Sequence, residues 1–329
     1  MDINLLGLEP HKVSRDLRGY SVFFYGEPKS GKTTIASKFP NSLLLAFEKG
    51  YNALAGVMAQ PVNSWAEFLK VCKQLKEDAV KEKFETIIID TSDIAYSYCE
   101  KYICQANGAN TIADIPYGKG YTLVSSEFDE KLRSIVQMGY GIVLISHATD
   151  KTFKDETGTE YNKIVPTLDK RANNIVARMA DIIGYSRAIT DEKGNNKTIL
   201  FMRGTQRYEA GSRFKYTPDY IEFSYDNLVN AIAEAIDKQA QEDGNELFTD
   251  ERENAYADTS SHLDFDMLMT EFKELIDKFS ADEEKMETYY APRITQIIDK
   301  FLGKGKKVNE MSRDQIEQLA LIVDDLKTL

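Results

Sequence analysis

The chain has 329 residues, 42% of them hydrophobic and 29% charged, with a formal net charge of −12 at pH 7. That apolar content fills one full-sized core and a smaller appendage, and the negative balance excludes a uniformly basic nucleic-acid-binding surface while leaving room for local basic loops. Cys72, Cys99 and Cys104 form no CxxC pair, which excludes a disulfide framework and a cysteine zinc site; with no stretch of membrane-helix length and no signal-like start, a cytoplasmic protein is expected.

In chain order, Ser21–Tyr25 (SVFFY) has the composition of a buried strand. It runs into Gly26, Glu27, Pro28, Lys29, Ser30, Gly31, Lys32, Thr33 and Thr34, which fit the P-loop spacing, and a short helix is expected before Pro40. Strand, glycine loop and helix N-terminus aim unpaired N–H groups and the positive end of a helix dipole at one point, a cradle for nucleotide phosphate. Gly26 and Gly31 are expected to permit the turns, Lys32 to neutralise the β/γ-phosphates of ATP, and Thr33 to offer its hydroxyl to Mg²⁺.

Ser42–Phe47 (SLLLAF) reads as a second strand ending on Glu48, either a base that polarises the attacking water or a solvent-facing strand-end residue. Trp65–Leu75 has helical spacing, and Thr86–Asp90 (TIIID) is a third strand whose terminal Asp90, downstream of a P-loop, is a Walker B carboxylate expected to hold Mg²⁺ together with Thr33. After a helix over Ile94–Ala106, the glycine- and proline-bearing stretch Asn107–Tyr121 is expected to be a long loop. It carries Tyr117, Lys119 and Tyr121, suited to stacking on bases while contacting phosphate, or incidental to a surface loop.

A further helix over Leu123–Met138 and a strand over Gly141–Ile145 lead to Ser146 and His147, placed to report nucleotide state. Ala148–Leu168 is expected to be a second long polar loop, with Lys151, Lys154 and Lys163 as DNA contacts and Lys170 and Arg171 closing it. A helix to Met179, a strand over Asp181–Ala188, a turn at Asp191–Asn196 and a strand over Lys197–Arg203 follow. Arg207, Arg213 and Lys215 lie close together in sequence, either a basic surface turn or candidates for a cation that acts on a neighbouring subunit's γ-phosphate.

Three regions are expected: an ATPase core over residues 1–238, an acidic, disordered linker over 239–262, and a helical region over 263–329. Leu247 and Phe248 in the linker are a candidate docking point or incidental. In the tail, Phe265–Phe279, Ile294–Leu302 and Ile316–Leu326 carry apolar residues at helical intervals, the last after a capping box at Ser312 and Gln315. Gly303–Lys307 (GKGKK) is a basic turn between helices, solvated or in contact with DNA.

The order of parts resembles a RecA-like P-loop ATPase: P-loop strand, strand ending in glutamate (Glu48), Walker B aspartate (Asp90), a first DNA-binding loop, then a polar switch residue (His147) and a second DNA-binding loop. More narrowly, GEPKSGKTT, TIIID followed by Thr91 and Ser92, YGKGY, LISH and EAGSRF with Arg213 resemble the phage Sak-type single-strand annealing recombinases, over roughly residues 16–225. That resemblance implies an α/β fold with a mainly parallel sheet and a DNA-dependent ATPase that uses Mg²⁺. It also implies a homo-oligomer with ATP between subunits, single-stranded DNA and a single-strand-binding protein as partners, and a role in annealing or strand exchange. His147 stands where RecA carries glutamine. A DnaB-like helicase or loader shares the core and is the alternative; a small-molecule phosphotransferase would need an arginine-rich lid, which these lysine- and tyrosine-bearing loops do not provide.

Overall fold

A sheet buried on both faces needs near-continuous apolar strands, and the runs read above supply them. In the computed structural model, which describes residues 5–7, 9–190, 194–254 and 263–329, the strands are β1 (Val13–Ser14), β2 (Ser21–Gly26), β3 (Ser42–Ala46), β4 (Ala59–Pro61), β5 (Thr86–Asp90), β6 (Gly141–Lys154), β7 (Glu160–Pro166), β8 (Ile182–Thr190), β9 (Asn196–Phe201), β10 (Gly211–Ser212), β11 (Tyr220–Glu222) and β12 (Phe248–Thr249). The main sheet runs in the order β11-β9-β8-β2-β6-β5-β3-β4, with β7 beside β6 and β10 beside β8. From β8 to β4 every neighbouring pair is parallel, whereas β9 and β11 fold back antiparallel at one side.

The helices are α1 (Lys32–Ala36), α2 (Trp65–Gln74), α3 (Asp78–Lys83), α4 (Ser92–Ala106), α5 (Lys119–Gln137), α6 (Lys170–Met179), α7 (Tyr225–Asp243), α8 (Phe265–Ser280), α9 (Glu283–Lys285), α10 (Ala291–Leu302) and α11 (Ile316–Lys327). Successive strand residues point to opposite faces. Phe23, Tyr25, Ile87, Ile89, Ile142 and Leu144 accordingly join one buried cluster, with Phe68, Cys99, Phe128 and Val176 of α2, α4, α5 and α6. Val22, Phe24, Ile88, Val143 and Ile145 join the other, with Ala36 of α1 and Leu228, Ile232 and Ile236 of α7. This three-layer α/β core with a mainly parallel sheet, and the helical C-terminal region, are the fold class expected from the sequence. Among the described residues no helix is long and apolar enough to cross a membrane.

Four expectations are corrected. The first long loop is largely ordered: Ile112 and Ile115 are buried, and α5 already begins at Lys119. Its glycines, read as breakers, have other roles. Gly118, with φ 67°, caps α5, and a Cβ on Gly120 would stand 2.6 Å from the Ile112 carbonyl oxygen, so glycine permits that helix contact.

The second long loop is a β-hairpin. β6 continues past His147 to Lys154 and pairs antiparallel with β7, Ala148 opposite Pro166 and Lys154 opposite Glu160. Asp155 makes the turn, its Oδ1 accepting from the amides of Thr157 (2.8 Å) and Thr159 (2.9 Å). Beyond the sheet edge one face of this ribbon mixes Phe153 and Tyr161 with Lys151 and Lys163 and the other is mainly polar, so the alternation that marks a half-buried strand is missing.

The third correction concerns the linker. α7 runs to Asp243, and β12 pairs with β1. Leu247 and Phe248 pack on the core, so they are internal and not a docking point. Arg252 then ties the segment down, donating to the carbonyls of Gly139 (2.6 Å) and Glu85 (3.1 Å), and Asn254 Nδ2 donates to the Tyr140 carbonyl at 3.0 Å. The acidic composition hid this because the ordering partners lie far away in the chain. Residues 255–262 of the expected linker, and 191–193 of the expected turn, lie outside the described residues. Arg252→Ala is expected to destabilise the core by about 1–3 kcal/mol, read as a lower urea midpoint at unchanged slope.

The fourth is the boundary. The chain divides into a unit of Pro10–Asp258 and a second that groups Met1–Glu9 with Thr259–Leu329. In the second unit Phe272, Phe279, Ile294, Leu302, Leu319, Ile322, Val323 and Leu326 make a core of their own, and the capping box at Ser312 and Gln315 is formed.

Candidate active site

In a parallel sheet the C-terminal strand ends share one edge, and the polar strand-end residues converge there. β2, β6 and β8 are level at this edge, with Gly26 opposite both His147 and Ser186; Asp90 ends β5 opposite Ala46 of β3 and Ile145 of β6. The turn carrying Glu48 is clasped to β5, the amides of Phe47 and Glu48 donating to the Asp90 carbonyl at 2.8 and 3.3 Å. A cavity of about 300 Å³ opens between them, lined by Lys29, Gly31, Lys32, Thr33, Thr34, Glu48, Gly50, Asp90 and His147.

The loop has the geometry of an anion cradle. Gly31, with φ 83°, sits at the N-cap of α1 in a left-handed conformation, and Lys29 is left-handed as well, with φ 65°. At Gly26 a Cβ would come within 2.2 Å of the Ser186 carbonyl oxygen, so glycine lets β8 lie against the loop. Glu27, Pro28 and Lys29 form the exposed tip and Ser30 is buried, its hydroxyl 2.8 Å from that of Ser186. That bond was not legible in the sequence; it joins residues far apart, and a lone serine at a strand end carries no signal.

Lys32 is only 5% exposed, and burial lowers its ammonium to about 8. Its Nζ donates to the carbonyls of Gly26 (3.0 Å) and Glu27 (2.8 Å). Neutral carbonyls satisfy its hydrogen bonds without balancing its charge, so an anionic phosphate is its natural partner. Thr33 Oγ1 donates to Asp90 Oδ2 at 2.7 Å, and Asp90, 3% exposed, is pushed up from the ordinary carboxylate range by burial. A hydroxyl beside a buried carboxylate is the sparse donor set that suits Mg²⁺, which keeps waters and binds through substrate phosphates. Consistent with that, no group of three or more His, Cys, Asp or Glu side chains among the described residues could hold a metal ion alone.

Glu48 and His147 face each other, Oε2 to Nε2 3.7 Å apart, while His147 Nδ1 is buried without a hydrogen-bond partner. Interaction with His147 holds the Glu48 carboxyl below its ordinary value, and Glu48 raises the imidazole above its own. The raised histidine stabilises the fold fully below 6.5 and loses that contribution as pH rises through its folded value; the lowered glutamate contributes above 4.5 and loses its share as pH falls. The pair therefore stabilises the nucleotide-free core most between 4.5 and 6.5, by at most about 1 kcal/mol given its partial exposure. Thermal melts of wild type and His147→Ala check this, the difference shrinking as pH rises above 6.5; a pH-independent difference refutes it.

The expected DNA contacts are dispersed. Tyr117 is 96% exposed, Lys119 and Tyr121 lie in the first turn of α5, and Lys170 and Arg171 in the first turn of α6. The Arg171 guanidinium stands 4.2 Å from the Tyr121 ring centroid, bringing the two expected loops together. Lys151 and Lys154 lie on β6 and Lys163 on β7; Lys154 pairs with Glu160 (3.3 Å) and Lys163 with Glu209 (3.2 Å).

The three cations weighed for action in trans are separated by the fold. Arg213 pairs with Asp181 at 3.2 Å, at the start of β8, and Lys215 with Glu242 at 2.7 Å on α7. Asp181 accepts from the Ser21 amide at the first residue of β2 (2.8 Å), so Arg213 is roughly 16 Å along that strand from the P-loop. Arg207 alone stands beside the nucleotide edge, its carbonyl accepting from Ile164 of the hairpin at 2.8 Å.

The family model described as "AAA domain" matches residues 18–214. A relative described as "SPbeta prophage-derived uncharacterized protein YorG", from Bacillus subtilis (strain 168), is 35% identical over 100% of this chain and 99% of its own. The crystal structure of the flagellar accessory protein FlaH from Methanocaldococcus jannaschii aligns with 66% of this chain and 95% of its own, at 14% identity and a TM-score of 0.33. With the family model covering well over half of its length and a phage-derived relative matching it from end to end, this chain belongs to the AAA domain family of P-loop, nucleotide-binding ATPases.

Proposed function

We propose that the protein is a Mg²⁺-dependent ATPase that binds single-stranded DNA and promotes annealing or strand exchange in phage-type homologous recombination, as a homo-oligomer. The observation that carries this reading is the continuity of β6. One strand presents His147 to the cavity that holds Lys32, Thr33, Glu48 and Asp90, then runs on as the hairpin bearing Lys151, Phe153, Tyr161 and Lys163. Phe153 stacks on Tyr161 with ring centroids 5.9 Å apart, and the Lys163 ammonium lies 6.0 Å from the Phe153 ring. Lys151 is directly opposite Lys163, so these four residues share one ribbon face. Aromatic rings interleaved with cations are the chemistry of single-strand binding.

In this reading Lys32 neutralises the β/γ-phosphates, Glu48 takes the proton of the attacking water, and His147 holds the Glu48 carboxylate and passes occupancy to the hairpin. Thr33 and Asp90 would hold Mg²⁺, which would supply charge neutralisation on the phosphates. The phage-derived relative supports the setting, and a single-strand-binding protein is the expected partner. Measuring phosphate release with and without oligo-dT tests the reading: single-stranded DNA is expected to raise the rate several-fold, and a rate unchanged by DNA overturns it.

A further inference from the structure

Beside the P-loop, on the side away from Asp90, the hairpin, the end of β8 and the turn before β10 enclose a second cavity of about 440 Å³. Asp150, Tyr161, Asn162, Arg187, Gln206 and Arg207 line it. Both arginines are exposed, and among the described residues neither has a carboxylate within ion-pair distance. Asp150, the one acid in the lining, pairs with neither. Guanidinium forks match phosphate oxygens, and the amide groups of Asn162 and Gln206 offer donors and acceptors to a base.

The walls are bolted to the nucleotide loop at two points. Arg187 follows Ser186, whose hydroxyl is 2.8 Å from Ser30 of the P-loop. The turn bearing Arg207 is pinned by Tyr25, the residue before Gly26: the Tyr25 hydroxyl donates to the Glu209 carbonyl at 2.6 Å and accepts from the Glu209 amide at 3.0 Å.

We infer that this cavity seats a nucleotide unit of the single strand, its phosphate on Arg187 and Arg207 and its base toward the Asn162 and Gln206 amides. The assignment rests on the single-stranded-DNA reading above and deepens it. The main phosphate anchor is then not the lysines of the hairpin but two arginines whose segments are bonded to the P-loop strand and loop. Nucleotide bound at the P-loop and DNA bound here would then bear on the same two short connections, Ser30–Ser186 and Tyr25–Glu209.

The test is fluorescence anisotropy with labelled oligo-dT at several salt concentrations, on full-length wild type, Arg187→Gln, Arg207→Gln, the double variant and the double Arg→Lys variant, each checked for folding by circular dichroism. Each Gln variant is expected to lose about tenfold in affinity, and the double variant's salt slope to shrink by about 0.7, since the two arginines share one phosphate and each single-strand phosphate neutralised adds about 0.7. The Lys pair is expected to recover most of the slope. Wild-type affinity and slope in the double variant, with DNA still stimulating hydrolysis, overturn the inference and leave the reading intact. Wild-type protein that does not bind oligo-dT overturns both. Unchanged DNA affinity together with loss of DNA-free hydrolysis in Arg207→Gln assigns that arginine to the nucleotide and also overturns it.

Discussion

Lys32→Ala is expected to abolish ATP hydrolysis, with kcat falling by about 10³-fold or more, the range seen when a preorganised charge-stabilising group is removed. The size of the effect follows from burial. Lys32 is 5% exposed, its hydrogen bonds go to neutral backbone carbonyls and its charge is offset only by carboxylates at longer range, so no water or mobile cation takes its place easily. Phosphate release on purified protein, with circular dichroism to confirm folding, checks the result; activity within tenfold of wild type would move the catalytic centre elsewhere.

Glu48→Gln is the second large effect, expected to lower kcat by about 10²–10⁴-fold while nucleotide affinity stays near wild type. A glutamine keeps the shape and a polar contact to His147 but cannot accept the proton of a water. Lys32, Thr33 and Asp90 are untouched, so loss should appear in kcat and not in binding. Single-turnover hydrolysis set beside titration with a fluorescent nucleotide separates the two. Parallel loss of affinity would mean that Glu48 shapes the pocket and is not its base.

Much of this centre was legible in the sequence because its parts are local. A P-loop is a contiguous spacing between a strand and a helix start, and SVFFY, SLLLAF, TIIID and GIVLI announce strands by their own composition, each with its polar residue at the end. Once those strands are parallel, Glu48, Asp90 and His147 must meet at one edge, which is where they line a common cavity. The amphipathic helices of the C-terminal unit were legible for the same reason: helical spacing is written in a few consecutive turns.

What escaped depends on partners distant in sequence. The polar hairpin over β6 and β7 lacks apolar alternation, because neither of its faces meets the core over most of its length. The segment after α7 looked like an acidic linker, yet it is held by Arg252 and Asn254 reaching carbonyls more than a hundred residues away. Arg207, Arg213 and Lys215 are close in the chain, but Asp181 and Glu242 draw the last two away from the nucleotide edge.

The sequence by itself therefore determined the nucleotide cradle, the strand-end residues around it and the α/β class, since each depends on local pattern and on the rule that parallel strands end together. Tertiary structure alone decided that Gly26 makes room for β8, that His147 and Glu48 form a pair, and that Arg187 and Arg207, without an ion pair among the described residues, line one cavity beside the P-loop. Those features arise from contacts between segments whose separation along the chain leaves no periodicity or spacing to read, and folding brings them within reach.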